Sequence, residues 1–299
     1  MFKMNVNLRI SVITPSYNSG NYIECAIKSV LEQNYQNFEH IIVDGGSSDG
    51  TLEVLKKYPH LKWVSGSDQG QSDAMNKGFI LSSGEIIVYL NADDYFEEGA
   101  FHAVLPYFLK GAQFVVGQVR VIRDDGSSWI NDPKVEFLEM LKWWQKDAFC
   151  FNPSGYFYRR VVQEVAGGFD IHNNATMDYD FLLKCAYRFE FVKIKHLLGN
   201  FRLVKGTKTA STAVEDLYTK KNAVSEKYTV FLDNKEFDKY MTEKNKNLKN
   251  IKSRIAVTQG LIDLKIHHRN KSYLLMISVF LKLIYWIPFY LLYLARRQM

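Results

Sequence analysis

Acidic and polar side chains gather at positions in this chain where ligand chemistry is done. Pro15-Ser16-Tyr17-Asn18 follows the apolar run Ile10–Thr14, Asp44 closes the run Phe38–Asp44, and Asn91-Ala92-Asp93-Asp94 follows Ile86–Leu90. Each run reads as a short strand, so each cluster sits at a strand's carboxyl end, where open α/β sheets bind ligands. Asp73, Asn76 and Lys77 lie on a helical segment, Ser72–Leu81. There Asp73 and Asn76 share a face, and Asp73 and Lys77 can form an ordinary surface pair. Asp178 opens the helical pattern Asp178–Arg188, a common place for a capping Asp, while Asp180, two residues on, faces elsewhere. Other chemistries find no support. No GxxxxGK[ST] loop occurs, and His267-His268 follows no zinc spacing.

The elements that must carry these residues alternate. Strand patterns at Ile10–Thr14, Phe38–Asp44, Leu61–Ser65 and Ile86–Leu90 are separated by helical patterns at Tyr22–Gln33, Thr51–Tyr58 and Ser72–Leu81. Within Tyr22–Gln33 the apolar positions Ile23, Ala26, Ile27, Val30 and Leu31 have helical spacing. Gly45 to Gly50 is a loop, and Asp49 is expected to cap the next helix. Strands spaced by helices predict a Rossmann-like, mostly parallel α/β sheet. Beyond it, Phe114–Ile122, Tyr156–Arg159 and Phe201–Lys205 are expected to be strands, with Gly126 in a turn. From Ala213 the chain reads as helical and Lys-rich.

Four stretches carry a family resemblance in order: residues 10–51 (ISVITPSYNSG…VDGGSSDGT), DQGQSDAMNKG at 68–78, GEIIVYLNADDYF at 84–96, and GGFD…MDYDFLLK at 167–184. They resemble the family 2 glycosyltransferases of GT-A fold, bacterial surface-polysaccharide type, over roughly residues 8–209. The resemblance implies a nucleotide diphosphate sugar donor, with a UDP-sugar expected, bound by Thr14, Pro15, Tyr17, Asn18, Asp44, Asp73, Asn76 and Asn91. Asp44 can accept a hydrogen bond from a base imino N–H, Tyr17 can cover the base face, and Thr14, Pro15 and Asn18 can line its edge. Read alone, 14–18 is also an ordinary strand-to-helix turn.

The resemblance places Asp93 as ligand of a Mn or Mg divalent cation, a hard ion suited to oxygen ligands and diphosphate. Asn91 departs from the family's Asp at the first position of that motif but can still bond ribose hydroxyls. Asp94 would cap the next turn or support the metal, and a pair of solvated loop carboxylates is the plainer alternative. Asp178 matches the family's catalytic base, which takes the acceptor's proton in an inverting transfer. Two further departures stand out. Met75 occupies the site of a frequent Arg, and Val204-Lys205 occupies that of a frequent His. Lys205 or Lys208 could meet the diphosphate as a point charge. Trp143-Trp144 could stack on an acceptor sugar or form a packing surface.

Composition bounds the rest. The chain has 299 residues, 47% hydrophobic and 23% charged, enough for a full core. Its three cysteines are far apart, which excludes a disulfide scaffold and fits a reducing compartment. Residues 1–218 hold 22 Lys and Arg against 26 Asp and Glu, a net −4, whereas residues 219–299 hold 16 against 6, a net +10. A basic tail meets nucleic acid or anionic membrane. No nucleic-acid module is evident, and the apolar run beyond the basic stretch points to membrane. That run, Tyr273–Leu294, has 22 residues with Tyr and Trp at interfacial positions, and it is entered by His267-His268-Arg269 and left by Arg296-Arg297. Lys282 and Pro288 disfavour a straight span, since a charge near the bilayer centre costs about 2.5–3.5 kcal/mol. Met1 to Arg9 is polar, unlike a signal peptide.

The sequence therefore predicts three regions: a GT-A catalytic domain at 1–210, a basic helical region at 211–271, and an apolar membrane-associating helical segment at 272–299. The implied enzyme is an inverting metal-dependent glycosyltransferase acting on a hydroxyl of a lipid-linked oligosaccharide, peripheral or monotopic at the cytoplasmic face of the inner membrane. The alternatives are a polyprenyl-phosphate glycosyltransferase, a catalytically silent nucleotide-sugar-binding protein, and a membrane-anchored interaction module. For the tail, the alternative is a helical hairpin packed on the catalytic domain or on a second subunit.

Overall fold

The structure, a computed structural model, describes residues 7–205, 207, 209, 212, 214–247 and 279. Chain contacts divide it into two units, Met1–Ser211 and Thr212–Met299. The first unit is built on a nine-stranded sheet: β1 Ile10–Ser16, β2 Phe38–Asp44, β3 Leu61–Ser65, β4 Ile86–Tyr89, β5 Tyr95–Phe96, β6 Phe114–Arg123, β7 Ser128–Asn131, β8 Tyr156–Arg159 and β9 Phe191–Leu203. The strand order is β3-β2-β1-β4-β8-β6-β9-β5, with β7 on β6. β1 pairs in parallel with both β2 and β4, β2 with β3, and β6 with β9, while β8, β5 and β7 run antiparallel to their neighbours. Six of the nine strands thus point one way, and the sheet is mostly parallel as expected.

Burial explains the pattern. Every residue of β1 and β4 is buried, the signature of central parallel strands covered on both faces. β3, at the edge, has no fully buried residue. One face is covered by α1 (Ile23–Leu31), which contributes Ala26 and Val30 to a core with Ile10, Val12, Val88 and Phe157. The same core takes Phe101, Val104 and Phe108 from α4 (Ala100–Leu109). The short helix α2 (Thr51–Leu55) packs Leu55 with Ile23, Ile27 and Ile42. Asp49 is no side-chain cap to it. Gly50 stands at the N-cap, and Asp49 instead accepts from the Gly20 N–H (2.9 Å) and the Thr51 N–H (3.0 Å), tying two loops together.

α3 (Gln71–Leu81) packs on β1 and β2, and Gly78 is what lets it approach. A Cβ at that position would lie 2.3 Å from Ile13 Cγ2. Beyond β7 come α5 (Phe137–Met140), α6 (Arg160–Ala166) and α7 (Met177–Ala186). Several of these elements carry no sequence expectation, namely β5, β7, α4, α5 and α6. The strand expected at Phe201–Lys205 is the end of the 13-residue β9. Trp143 and Trp144 are buried and pack edge to face, 5.9 Å apart, which is the packing reading.

In the second unit, α8 (Val214–Lys227) pairs with a helix over residues 234–247. Ser225 Oγ lies 3.1 Å from the Tyr240 hydroxyl, and Lys244 Nζ meets Glu226 Oε1 at 2.6 Å. Among the described residues no helix is long and apolar enough to cross a membrane. The segment at 272–294 and Lys208 lie outside the described residues, except for Val279, which is helical.

Candidate active site

The carboxyl ends of β1, β2 and β4 open into a cavity of about 810 Å³, within the range of small-molecule sites. Pro15, Tyr17 and Asn18 line it from the end of β1, Gly45 from the end of β2, and Asn91 and Asp93 from the end of β4. The first turn of α3 contributes Gly70, Gln71 and Ala74, and Asn174 and Thr207 close the far side. Tyr17 is 66% exposed, so its ring is available to a flat ligand at the mouth. Asn18 adopts the left-handed conformation (φ 48°) and clasps the neighbouring loop. Its N–H donates to Ser47 Oγ (2.7 Å) and its Oδ1 accepts from the Ser48 N–H (3.0 Å).

Not every expected residue reaches the cavity. Thr14 is fully buried beneath it, 2.9 Å from His40 Nε2, and burial pushes the His40 imidazole down to about 3. Asp44 is buried behind Gly45. Its Oδ2 accepts from the N–H groups of Gly46 (3.1 Å) and Ser47 (2.9 Å) and from Ser65 Oγ (2.7 Å), and Oδ1 accepts from Ser47 Oγ. Asp73 and Asn76 turn away. Asp73 pairs with Lys77 at 2.9 Å, and that hydrogen bond holds its carboxyl below the usual value. Asn76 spans to the 167–169 segment: Nδ2 donates to the Phe169 carbonyl and Oδ1 accepts from the Phe169 N–H, both at 2.8 Å. Gly168 is needed there, since a Cβ would lie 2.5 Å from Asn76 Oδ1.

The 91–94 loop is the electrostatic centre. Asp94 is wholly buried and accepts from Asn91 Nδ2 (3.0 Å), Asn152 Nδ2 (2.6 Å) and the Arg202 N–H (2.9 Å). Burial, and then the charge of Asp93, push its carboxyl up to about 8. Burial also raises Asp93, a residue that lines the cavity. Its backbone carbonyl is held by the Arg202 guanidinium at 2.9 Å. Among the described residues no cluster of three or more metal-binding side chains exists. The chemistry of the residue fits a hard cation: a partly buried carboxylate lining a polar cavity could offer an oxygen ligand to an ion that keeps substrate and water oxygens.

Asp178 is the second residue of α7, and its Oδ1 lies 3.4 Å from the Tyr156 hydroxyl. The segment before it is fixed to the rim of the cavity: Ser72 N–H donates to Asn174 Oδ1 (3.1 Å), and Ser72 Oγ donates to the Asn173 carbonyl (2.9 Å). Lys205 binds Asp124 through its backbone N–H. Arg202, Gln71, Asn174 and Asn152 carry no sequence expectation. Gln71, whose Nε2 donates to Asn91 Oδ1 at 2.9 Å, stands just before the expected helix Ser72–Leu81 and after a glycine, the one position of the four with a signal in the sequence. Arg202 and Asn152 meet the loop only through the folded topology.

A mostly parallel sheet with a polar cavity and an acidic loop at its carboxyl edge is the arrangement in which open α/β folds bind their ligands. The family model "Glycosyl transferase family 2" matches residues 11–166, and the chain belongs to that family. Among curated proteins it is 32% identical over 169 residues to an uncharacterized glycosyltransferase of Nostoc sp., covering 52% of each chain. It is 34% identical over 107 residues to the putative teichuronic acid biosynthesis glycosyltransferase TuaG of Bacillus subtilis, covering 34% of this chain and 42% of TuaG. The match thus spans about half the length of these relatives. Among solved structures, S. aureus TarS 1–349 in complex with UDP-GlcNAc shares the fold, with TM-score 0.61 and 17% identity over 91% of this chain and 90% of that one. The mannosyltransferase PcManGT from Pyrobaculum calidifontis, in complex with GDP-Man and Mn2+, does so at TM-score 0.54 and 17% identity, over 94% and 88%.

Proposed function

We propose that the chain is an inverting, metal-dependent glycosyltransferase of surface-polysaccharide synthesis. It moves a sugar from a nucleotide diphosphate sugar, a UDP-sugar, to a hydroxyl of a lipid-linked oligosaccharide. The observation that carries this is the cavity joining Tyr17 and Asn18, Asn91 and Asp93, and the Asn174 rim that leads into the Asp178 helix. The UDP-GlcNAc of TarS and the polymer named for TuaG support the donor class and the pathway.

Tyr17 covers the base, while the loop built on Asp44 and Asn18 shapes the pocket edge. Asn91 reaches the ribose. Asp93 would hold Mn²⁺ or Mg²⁺, which supplies positive charge to the diphosphate leaving group. Asp178 takes the proton of the acceptor hydroxyl as its oxygen bonds to the anomeric carbon. The bond from that carbon to the diphosphate breaks, and the nucleoside diphosphate leaves. The catalytic domain is 1–210, followed by the basic region 211–271 and a membrane-attaching segment 272–299 that brings the site to lipid-linked acceptors at the cytoplasmic face of the inner membrane.

Transfer from radiolabelled UDP-, GDP- and dTDP-sugars to saccharide and polyprenyl-phosphate acceptors tests the reading. Product on saccharide acceptors with Mn²⁺, lost in EDTA and in Asp93→Ala, is expected. Activity that persists in both overturns the metal assignment, and nucleotide binding without transfer under any condition makes the protein a silent binder. Truncation after Lys271 should leave a folded domain that no longer sediments with anionic liposomes. Unfolding of that truncation, with a full-length chain that never binds liposomes, would make the segment part of the core.

A further inference from the structure

We propose that Tyr156 is the positioning residue for Asp178, aiming one carboxylate oxygen so that the other faces the acceptor. This rests on Asp178 being the base. Tyr156 is the first residue of β8, fully buried, with its ring beside Phe114 (centroids 5.7 Å) and its hydroxyl 3.4 Å from Asp178 Oδ1. That distance is long for an O–H···O bond, as catalytic hydrogen bonds often are before substrate tightens them.

The phenol is a dependable donor. Burial, and then the charge of Asp178, raise it well above its ordinary value, so it keeps its proton. Cys150, a buried thiol that also senses Asp178, is pushed up to about 12 by burial and stays neutral. Asp180, on the same helix, is buried two residues away and faces elsewhere.

The element carrying Tyr156 is itself anchored to the Asp93 loop. Asn152 is 1% exposed; its Nδ2 donates to Asp94 Oδ2, while its Oδ1 accepts from the N–H (3.0 Å) and Oγ (2.7 Å) of Ser154. The chain from Asn152 to Tyr156 is therefore a short, buried, hydrogen-bonded segment. It spans from the loop proposed to hold the donor to the carboxylate proposed to activate the acceptor. A span of that kind holds the two halves of a displacement at one separation, and small misplacements there are costly.

Tyr156→Phe keeps the ring and removes only the hydroxyl. It is expected to lower kcat about tenfold, the scale of one hydrogen bond to a charged group, with donor KM within about twofold, since the donor contacts are untouched. Without the donated bond the carboxylate becomes more basic, so the acid limb of the kcat/KM profile moves to higher pH. Tyr158→Phe is the control: Tyr158 is equally buried against Phe114, but its hydroxyl donates to Gln163 Oε1 at 2.6 Å. It should lower the melting temperature and leave both kcat and the pH profile in place. Equal effects of the two variants on kcat, or a Tyr156→Phe enzyme with unchanged kcat and pH profile, overturn the inference. Asp178→Asn separates it from the reading beneath. If Asp178→Asn is inactive while Tyr156→Phe behaves as wild type, only the positioning role falls. If Asp178→Asn retains full kcat, both fall.

Discussion

The parallel wing of the sheet, β3-β2-β1-β4, and the mixed wing, β8-β6-β9-β5, assemble their parts of the site by different means. On the parallel wing the partners are near in sequence. The carboxylate of Asp44 is satisfied by residues no more than 21 positions away. Where the mixed wing meets the parallel one they are distant: Arg202 reaches Asp93 across 109 positions and Cys25 across 177, and Asn152 reaches Asp94 across 58. One wing therefore displays its ligand-facing loops as local motifs, and the other creates its contacts only when the chain has folded. The proposed chemistry divides along the same line, with the donor held by the parallel wing and the proton acceptor supplied by the mixed one.

The largest expected effect tests that division. Asp178→Asn should cut kcat by roughly 10²–10⁴-fold, the range for a general base, with nucleotide affinity by calorimetry nearly unchanged. A variant that loses nucleotide binding but keeps kcat would break the comparison, because the mixed wing would then be holding the donor.

Stability in acid sharpens it next. Glu39, on β2, is buried with Arg9, Lys62, Ser11 and Ser83 around it. Burial alone would raise its carboxyl, but the hydrogen bonds from Lys62, Ser11 and Ser83 outweigh this and hold it at about 2, below the ordinary 4.5. A depressed carboxylate stabilises the fold above its ordinary pKa and loses that contribution as pH falls toward the folded value. Up to about 3 kcal/mol should disappear between about pH 4.5 and 2, seen as a falling urea midpoint. Glu39→Gln should flatten that limb; an unchanged limb would mean the parallel wing does not set acid stability.

A smaller loss is expected from Arg202→Lys. The guanidinium bonds both the Asp93 carbonyl and Cys25 Sγ (3.2 Å) and lies over the Tyr95 ring, 4.6 Å from its centroid. An ammonium keeps the charge but not the fork. About 1–2 kcal/mol of stability should go, with a modest rise in donor KM as the 91–94 loop loosens. A silent substitution would show that the guanidinium does not hold the 91–94 loop. Smallest of all, Tyr17→Ala should raise donor KM by about two- to tenfold, as loss of one exposed stacking face implies, while Tyr17→Phe should change little.

The wings also differ in how much could be read before folding. β2 and β3 on the parallel wing, and β8 on the mixed one, occur at their expected limits, and α3 begins one residue early, because short apolar and aromatic runs bounded by Gly, Pro or Ser mark a strand wherever it lies. The expected helix Thr51–Tyr58 ends at Leu55, and Phe201–Lys205 belongs to a much longer strand. In β9 exposed and buried residues mix without regular alternation, which hides a strand lying at the sheet's irregular side. For the site, the motif loops at 15–18 and 91–93 face the cavity together. The helix positions Asp73 and Asn76 instead hold the polypeptide, and Gln71 and Ala74 turn inward. Spacing on a helix says which residues share a face, and only packing says which way that face looks.

The Asn76 contact with Phe169 reaches beyond this chain. A side-chain amide here does what one residue of a neighbouring strand does, giving one bond to the carbonyl and taking one from the N–H of a single residue, with Gly168 cleared to admit it. Aspartate has nearly the same shape but no donor, and would set a carboxylate against a carbonyl oxygen. Anyone who grafts the later half of a relative onto the earlier half of this protein, to exchange acceptor preference, crosses this seam. Hybrids that carry an Asn and a Gly on its two sides should assemble, and those that mismatch them should be recovered as insoluble protein, whatever the quality of their catalytic residues.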